Sequence, residues 1–109
     1  ARFDVIGFSQ GGAMANTLAI QYPERMRKVG ILAGFVPPGA DDLLRPDLLT
    51  DIPFFWAHGT QDDMVSIERA QQSIEILQQA GADVHLCQAE VGHKVGKDCR
   101  QALEHFFKV

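Results

Sequence analysis

Four apolar runs alternate along the chain with segments in which apolar residues recur at helical spacing. The runs are Asp4 to Phe8, Val29 to Ala33, Pro53 to Ala57 and Val84 to Gln88. The first three are almost continuously apolar, which is typical of parallel strands buried on both faces. The fourth alternates apolar with polar residues, which predicts a strand nearer the edge of the sheet.

Three helices are predicted between and after these strands. The first begins after Ser9 and ends at Tyr22, because a residue that precedes proline is disfavoured in the helical conformation. The second begins at Ser66, a suitable N-cap, and ends at Gly81. The third carries one apolar stripe formed by Cys99, Ala102, Leu103 and Phe106. This alternation predicts an α/β fold with about four parallel strands and covering helices on both faces.

One long segment lies outside this pattern. Residues Phe35 to Asp51 are rich in proline and aspartate, and we expect a loop without firm structure there, with a short helical turn at Asp42 to Leu44.

Composition narrows the classes of function. The chain has 109 residues, the size of one domain, and 10 Lys+Arg against 14 Asp+Glu give a net charge of -4, which leaves no electrostatic basis for a nucleic-acid partner. The longest apolar stretch, Val29 to Val36, is far shorter than the roughly 20 residues of a membrane span. The N-terminal residues do not have the pattern of a secretory signal.

The two cysteines indicate no special chemistry. Cys87 and Cys99 lack the C-x-x-C spacing and have no clustered histidines, so we predict neither a metal site nor a disulfide. We expect two small buried residues in a reducing compartment, and therefore a cytoplasmic protein.

A serine motif lies at the border between the first strand and the first helix. Gly7-Phe8-Ser9-Gln10-Gly11 fits G-x-S-x-G in the strand-to-helix context that this motif requires. In one interpretation Ser9 is a nucleophile on a strained turn, glycines avoid collisions beside it, and the Gln10 N–H stabilises an oxyanion. In the other, the motif is a tight turn and Ser9 is only a helix N-cap. The pentapeptide alone favours neither.

A nucleophilic serine requires a histidine base and a carboxylate that orients it. His105 lies in the last helix, where a solvated or partly packed role is expected, and His85 lies inside the fourth strand, where a structural role is expected. His58 follows the third strand in a glycine turn. His93 lies in a glycine-flanked loop after the fourth strand. The sequence therefore offers two candidate bases, His58 and His93.

Sheet geometry separates these two histidines. If the strands are ordered consecutively, Ser9 and the aspartates after the third strand, Asp62 and Asp63, are two strand spacings apart, about 10 Å. A histidine on a loop from the fourth strand can bridge that gap, which predicts His93 as the base, while His58 belongs to the turn that orients the carboxylate. The order Ser, Asp, His fits this fold. The residues alone leave Asp62 and Asp63 open.

Three segments together resemble a known family. The stretches GFSQGGAMA…YPER, HGTQDDMVSIERA and EVGHKV are similar to the nucleophile, acid and histidine segments of the bacterial carboxylesterase/phospholipase family of α/β-hydrolases, which includes acyl-protein thioesterases. The resemblance implies hydrolysis of esters or thioesters through an acyl-enzyme, without a metal or organic cofactor. It also selects Asp62, four residues after the histidine of the HG turn. Many relatives have proline where this chain has Asp63 and Ser66, which implies a less rigid acid loop.

The resemblance also implies that residues 1–109 are one partial domain, the C-terminal half of the family fold. The N-terminal half, which supplies a second oxyanion donor and much of the substrate cleft, is absent from this chain. The first strand should then be a central strand with an unpaired apolar edge. We expect that edge to associate with a separate N-terminal piece or with a second copy along the strand of Val5.

Two functions follow from these expectations. The first is a serine esterase with Ser9, His93 and Asp62 as triad and an acyl ester as substrate. Its acyl pocket is expected to be lined by four apolar residues near the site: Phe8, Phe35, Met64 and Val95. The second is a catalytically silent fragment that serves as an interaction or assembly module.

Overall fold

In the computed structural model, which describes residues 1–108, four parallel strands form one sheet. The strands are β1 (Phe3–Phe8), β2 (Met26–Leu32), β3 (Pro53–Gly59) and β4 (Asp83–Ala89), and their order in the sheet is β1-β2-β3-β4. Each overlaps its predicted run, so the predicted parallel sheet is confirmed. Because all four strands run in the same direction, the loops that follow them lie at the same end of the sheet, next to the carboxyl ends of the strands.

Three helices connect or follow the strands at the predicted places. They are α1 (Gln10–Gln21), α2 (Ile67–Gln79) and α3 (Lys97–Lys108), with single 3₁₀ turns at Pro23–Arg25 and Ala40–Leu43. The Ser66 hydroxyl accepts a hydrogen bond from the Arg69 N–H at 3.1 Å, which satisfies one orphan donor at the start of α2. Gly81 adopts a φ of 96° just after α2, a conformation that glycine adopts at little cost.

The helices lie on both faces of the sheet, as predicted. Packing of α1 and α2 on one face forms the larger core cluster, which includes the fully buried Phe54 and Trp56 of β3. The smaller cluster lies under α3 on the other face, around Phe55 and Ala57. Cys99 is the one residue of α3 that is buried. The cover on this second face is therefore thin.

The segment between β2 and β3 is more firmly placed than we expected from its composition. The Leu49 side chain is fully buried, and its N–H donates to the Ala80 oxygen at 2.8 Å. The segment is a loop with one short 3₁₀ turn, as predicted, but the expectation that it lacks firm structure was wrong. Val36 is buried as well, and Ala40, Leu44 and Leu48 pack against the larger core cluster. The short helical turn lies at Ala40–Leu43, shifted slightly from Asp42 to Leu44.

The prediction of two unpaired cysteines was also wrong. Cys87 of β4 and Cys99 of α3 form a disulfide, with their Cα atoms 5.7 Å apart. A spacing of 12 residues does not show whether two cysteines meet. They meet because α3 turns back over the face of the sheet that Cys87 occupies.

One edge of the sheet is apolar and exposed. Among the described residues β1 pairs only with β2, and the side chains of Phe3, Ile6 and Phe8 are each about half exposed. This matches the unpaired edge expected for the first strand. Along the part of the chain that the structure describes, no helix has the length and apolar character needed to cross a membrane.

Candidate active site

Ser9 lies on a strained turn between β1 and α1. Its φ of 56° is in the left-handed region, which is costly for a residue other than glycine. Gly7 makes this turn feasible, because a Cβ there would lie 2.0 Å from the Gly11 oxygen. Gly11 differs: a Cβ there would meet no atom of the described residues within 4 Å. The expectation that both flanking glycines avoid collisions is therefore confirmed for Gly7 and wrong for Gly11.

The side chain of Ser9 does not cap the helix that it precedes. Ser9 occupies the N-cap position of α1, yet its side chain makes no capping hydrogen bond. Its Oγ instead lies 2.8 Å from Nε2 of His93, in the loop between β4 and α3. The N-cap interpretation therefore does not account for the serine.

His93 joins Ser9 to a buried carboxylate. Its Nδ1 lies 2.7 Å from Oδ2 of Asp62, and the other carboxylate oxygen, Oδ1, accepts the N–H groups of Met64 and Val65 at 2.9 Å each. An ionised carboxylate only accepts hydrogen bonds, so Nδ1 carries the imidazole proton. Nε2 is then free to accept the hydroxyl proton of Ser9, which is the arrangement that a general base requires.

The environment of Asp62 favours its charged form. Burial by itself would raise the pKa of Asp62, but the hydrogen bonds from Val65 N–H, His93 and Met64 N–H outweigh it and lower that pKa below its ordinary value. Asp62 is therefore ionised at neutral pH.

A second buried histidine, His58, is bonded to the loop that carries Asp62, which we call the acid loop. The Trp56 indole N–H donates to Nδ1 of His58 at 3.3 Å, so the proton of His58 is on Nε2, which donates to the Val65 oxygen at 2.7 Å. His58 thus ties the end of β3 to the turn that contains Asp62, as expected for a residue of the orienting turn. Trp56 was not predicted as a site residue, and no sequence motif marks its indole as the partner of His58.

The remaining polar candidates lie elsewhere. Asp63 is exposed, whereas the Asp62 side chain is fully buried. His105 is exposed on α3, and His85 pairs with Asp83 on the exposed face of β4 at 3.2 Å. The structure brings none of these three to Ser9. No cluster of three or more His, Cys, Asp or Glu side chains suited to a metal ion occurs within residues 1–108.

The predicted oxyanion donor follows Ser9 directly in the chain, and two of the apolar candidates lie beside His93 or in a groove that includes Gln10. Gln10 is the first residue of α1, where the backbone N–H groups point out of the helix and favour negative charge. The Phe8 ring centroid lies 5.2 Å from that of His93. Phe35 lines an open, largely apolar groove along α1, together with Gln10 and the exposed Met14.

The other two apolar candidates lie apart from this groove. The Met64 side chain is 71% exposed, while its backbone N–H contacts Asp62. Val95 packs against the smaller core cluster under α3. The structure therefore places Phe8 against His93 and Phe35 in the groove that includes Gln10, but Val95 does not line this groove.

Comparison with known proteins assigns the chain to a family. The sequence profile of the Phospholipase/Carboxylesterase family matches residues 2–109. The chain belongs to this family. Among its relatives, carboxylesterase SOBER1 of Arabidopsis thaliana is 28% identical over 106 residues. This match covers 95% of the chain and 46% of SOBER1. The crystal structure of the Bacillus cereus carboxylesterase has the same fold, with a TM-score of 0.82, 24% identity and 97% of the chain covered.

Two further facts from this family bear on activity. The chain spans about half the length of the relatives it matches, for example 49% of the Bacillus cereus carboxylesterase in its crystal structure. A rice relative, 25% identical over 103 residues, covering 94% of the chain and 39% of the relative, is described as a probable inactive carboxylesterase. Family membership by itself therefore leaves the activity of each chain to be argued from its own residues.

Proposed function

We propose that this chain is the C-terminal part of a serine hydrolase that cleaves carboxylic esters or thioesters through an acyl-enzyme. The observation that carries the proposal is the continuous row of hydrogen bonds from Ser9 Oγ through His93 to Asp62, at 2.8 and 2.7 Å. These distances are within the range at which a base removes a proton from a nucleophile. The strained backbone at Ser9 supports the same role, because strain of this kind clusters at functional sites.

The reaction follows from the protonation states. Ser9 Oγ attacks the acyl carbonyl while His93 Nε2 takes its proton, and His93 then donates that proton to the leaving alcohol or thiol. Water repeats the sequence on the acyl-enzyme and releases the acid. Asp62 keeps the proton of the neutral imidazole on Nδ1 and stabilises the imidazolium that forms in each half-reaction.

The tetrahedral intermediate places negative charge beside the start of α1. The Gln10 N–H is the donor we propose for it, aided by the helix dipole. Phe8 and Phe35 are the apolar side chains that we propose contact the acyl group. We propose that a second oxyanion donor comes from outside this chain. Its contribution would be large, because one such donor commonly adds about 2.7–4 kcal/mol to transition-state stabilisation.

The exposed edge of β1 supports a proposal about assembly. Phe3, Ile6 and Phe8 are about half exposed on the two faces of a strand whose outer backbone is unpaired within residues 1–108. This is the kind of edge that pairs with another chain. We propose that an N-terminal α/β segment or a second copy of the chain covers this edge. We also propose a cytoplasmic location.

A second candidate function is an interaction or assembly module without catalysis. It is favoured by the exposed β1 edge and by a chain that spans under half of SOBER1. In this case the serine, histidine and aspartate would be inherited without being used.

A fluorophosphonate probe separates the two functions. We expect stoichiometric labelling of Ser9, seen by mass spectrometry, that is lost in Ser9→Ala and in His93→Ala, with His105→Ala as the histidine control that still labels. The probe is applied to the chain alone and to the chain with an added N-terminal half from a homologous esterase. Absence of labelling in both samples would reject the enzyme and favour the module.

A further inference from the structure

The Cys87–Cys99 disulfide encloses the loop that carries His93. Cys87 lies in β4 and Cys99 in the first turns of α3, so the bond joins the element before this loop to the element after it. His93 lies midway, six residues from each cysteine. The only covalent cross-link of residues 1–108 therefore spans the candidate general base.

The two halves of this loop are attached to the rest of the molecule in different ways. Before His93, the loop is bonded to the acid loop, because the Gln61 N–H donates to the Val91 oxygen at 3.0 Å. After His93, the described backbone hydrogen bonds stay within the loop and α3, from Lys94 N–H to Gly92 and from Arg100 N–H to Gly96. Val95 of the second half packs against the smaller core cluster, and Gly96 is buried. The position of the second half thus depends on this packing and on how the start of α3 is attached.

The first turn of α3, which follows the loop that carries His93, is attached at one residue. Cys99 is 1% exposed, whereas the residues on either side of it are exposed. The other contacts of α3 with the sheet lie farther along the helix, where Ala102, Leu103 and Phe106 pack against the smaller core cluster and Lys28 Nζ donates to the Phe106 oxygen. The covalent bond to β4 is therefore the main attachment of the start of α3, and of the end of the loop before it.

We propose that Cys87 and Cys99 form a redox-modifiable pair that regulates the active site by fixing His93 against Ser9. This inference rests on the proposed esterase function and adds a regulatory input to it. In the oxidised chain the loop is closed at both ends and His93 is aligned. In the reduced chain the second half of the loop and the first turn of α3 move more freely, and the Ser9–His93 hydrogen bond is made less of the time.

The chemistry is an ordinary dithiol exchange. A thiolate of the reductant attacks the sulfur of Cys87, which is the more exposed residue of the pair, and Cys99 leaves as a thiolate that takes up a proton. The second thiol of the reductant then displaces Cys87, so two electrons and two protons reach the protein and the reductant becomes a cyclic disulfide. In a reducing compartment such a pair would be oxidised only transiently, as is typical of redox-sensing disulfides there.

The test compares the rate of fluorophosphonate labelling at Ser9 before and after dithiothreitol, with the thiol count verified by intact mass. Reduction is expected to slow labelling between about tenfold and a hundredfold, because a misplacement of about 1 Å in a catalytic group costs on that order. The matched control is Cys87→Ala/Cys99→Ala, which should label at the slow rate with or without dithiothreitol. Circular dichroism on the same samples should remain unchanged.

Each other outcome overturns the proposal. An unchanged rate in a chain shown to be reduced would mean that packing alone aligns His93. Two free thiols in the air-oxidised protein, or loss of the helical spectrum on reduction, would leave no local switch. If the oxidised chain does not label at all, the esterase function itself is rejected. This result differs from a labelling rate that is the same in the oxidised and reduced chains, which rejects only the redox proposal.

Discussion

The two oxygens of the Asp62 carboxylate have different partners. Oδ1 accepts two backbone N–H groups of its own turn, and Oδ2 faces the imidazole of His93. The first pair fixes the direction of the carboxylate, so the second oxygen has one orientation relative to the ring. Because Asp63 is exposed, the neighbouring carboxylate cannot take over this role without refolding the turn.

The first prediction follows from this difference. Asp62→Asn should lower kcat/KM for a short-chain nitrophenyl ester by on the order of 10⁴-fold, because an amide no longer enforces the imidazole tautomer. Asp63→Asn is the matched control and should stay within about twofold of the parent chain, since an exposed residue of this kind contributes little. Similar losses in both variants would show that the loop as a whole, and not one carboxylate, is required.

The lowered pKa of Asp62 leads to a prediction about stability. Its contribution is fully present above the ordinary aspartate pKa of about 3.9 and is lost as the pH falls through the lower native pKa, because the native state must then bind a proton that it disfavours. Urea unfolding from pH 3 to pH 7 should therefore show a free-energy difference between the parent chain and Asp62→Asn that is constant near neutrality and shrinks below about pH 4. A difference that does not depend on pH would contradict the assigned cause.

At the level of elements, the turn from β1 into α1 positions the serine. Ser9 directly follows the last residue of β1, at the carboxyl end of that strand, and α1 begins one residue later. This close succession is feasible because the Gly7 Cα packs directly against the backbone of Gly11 and Gly12. The other glycine of the motif has open space beside it.

Two alanine variants test this asymmetry. Gly7→Ala should destabilise the chain by at least about 3 kcal/mol, at the upper end of overpacking costs, because its Cβ would meet rigid backbone. Gly11→Ala should be neutral or stabilising by up to about 1 kcal/mol, since alanine is the better helix former. Urea denaturation of both variants gives the comparison, and equal costs would show that the turn is not limited by the contact at Gly7.

The elements show how far the sequence alone predicts this molecule. Continuous apolar runs, a proline after Tyr22 and a serine cap at Ser66 determine strands and helix ends locally, so their positions were predicted. The meeting of Ser9 and His93 with one of the two aspartates after β3 was predictable because the carboxyl ends of parallel strands lie at the same end of the sheet. The choice of Asp62 over Asp63 came from the family resemblance. The disulfide and the burial of Leu49 depend on where α3 and the loop between β2 and β3 pack in three dimensions. No local pattern in the sequence predicts those positions.

At the scale of the whole molecule, the two edges of the sheet are unequal. β4 ends the sheet on one side with a strand that alternates polar and apolar residues, and β1 ends it on the other with exposed apolar side chains. Relatives about twice as long have further chain beyond the matched region. The β1 edge is therefore the surface at which we expect association.

This expectation is testable by light scattering. The chain alone should self-associate as its concentration rises, and Ile6→Lys should reduce the association, because lysine on an edge strand opposes edge-to-edge pairing. Ile6 is already 52% exposed, so the change should leave the fold intact. Leu86→Lys, at a 39% exposed position on the opposite edge, is the control and should not change the association. A chain that remains monomeric throughout would argue against an adhesive β1 edge.

The bond between Trp56 and His58 has a practical consequence. The chain contains a single tryptophan, and its indole is buried immediately behind the turn that carries Asp62. Intrinsic fluorescence of the unlabelled protein therefore reports from one spot next to the acid loop. Acylation, docking of a complementary half or opening of the histidine loop can each be followed in real time through the emission of this one native chromophore.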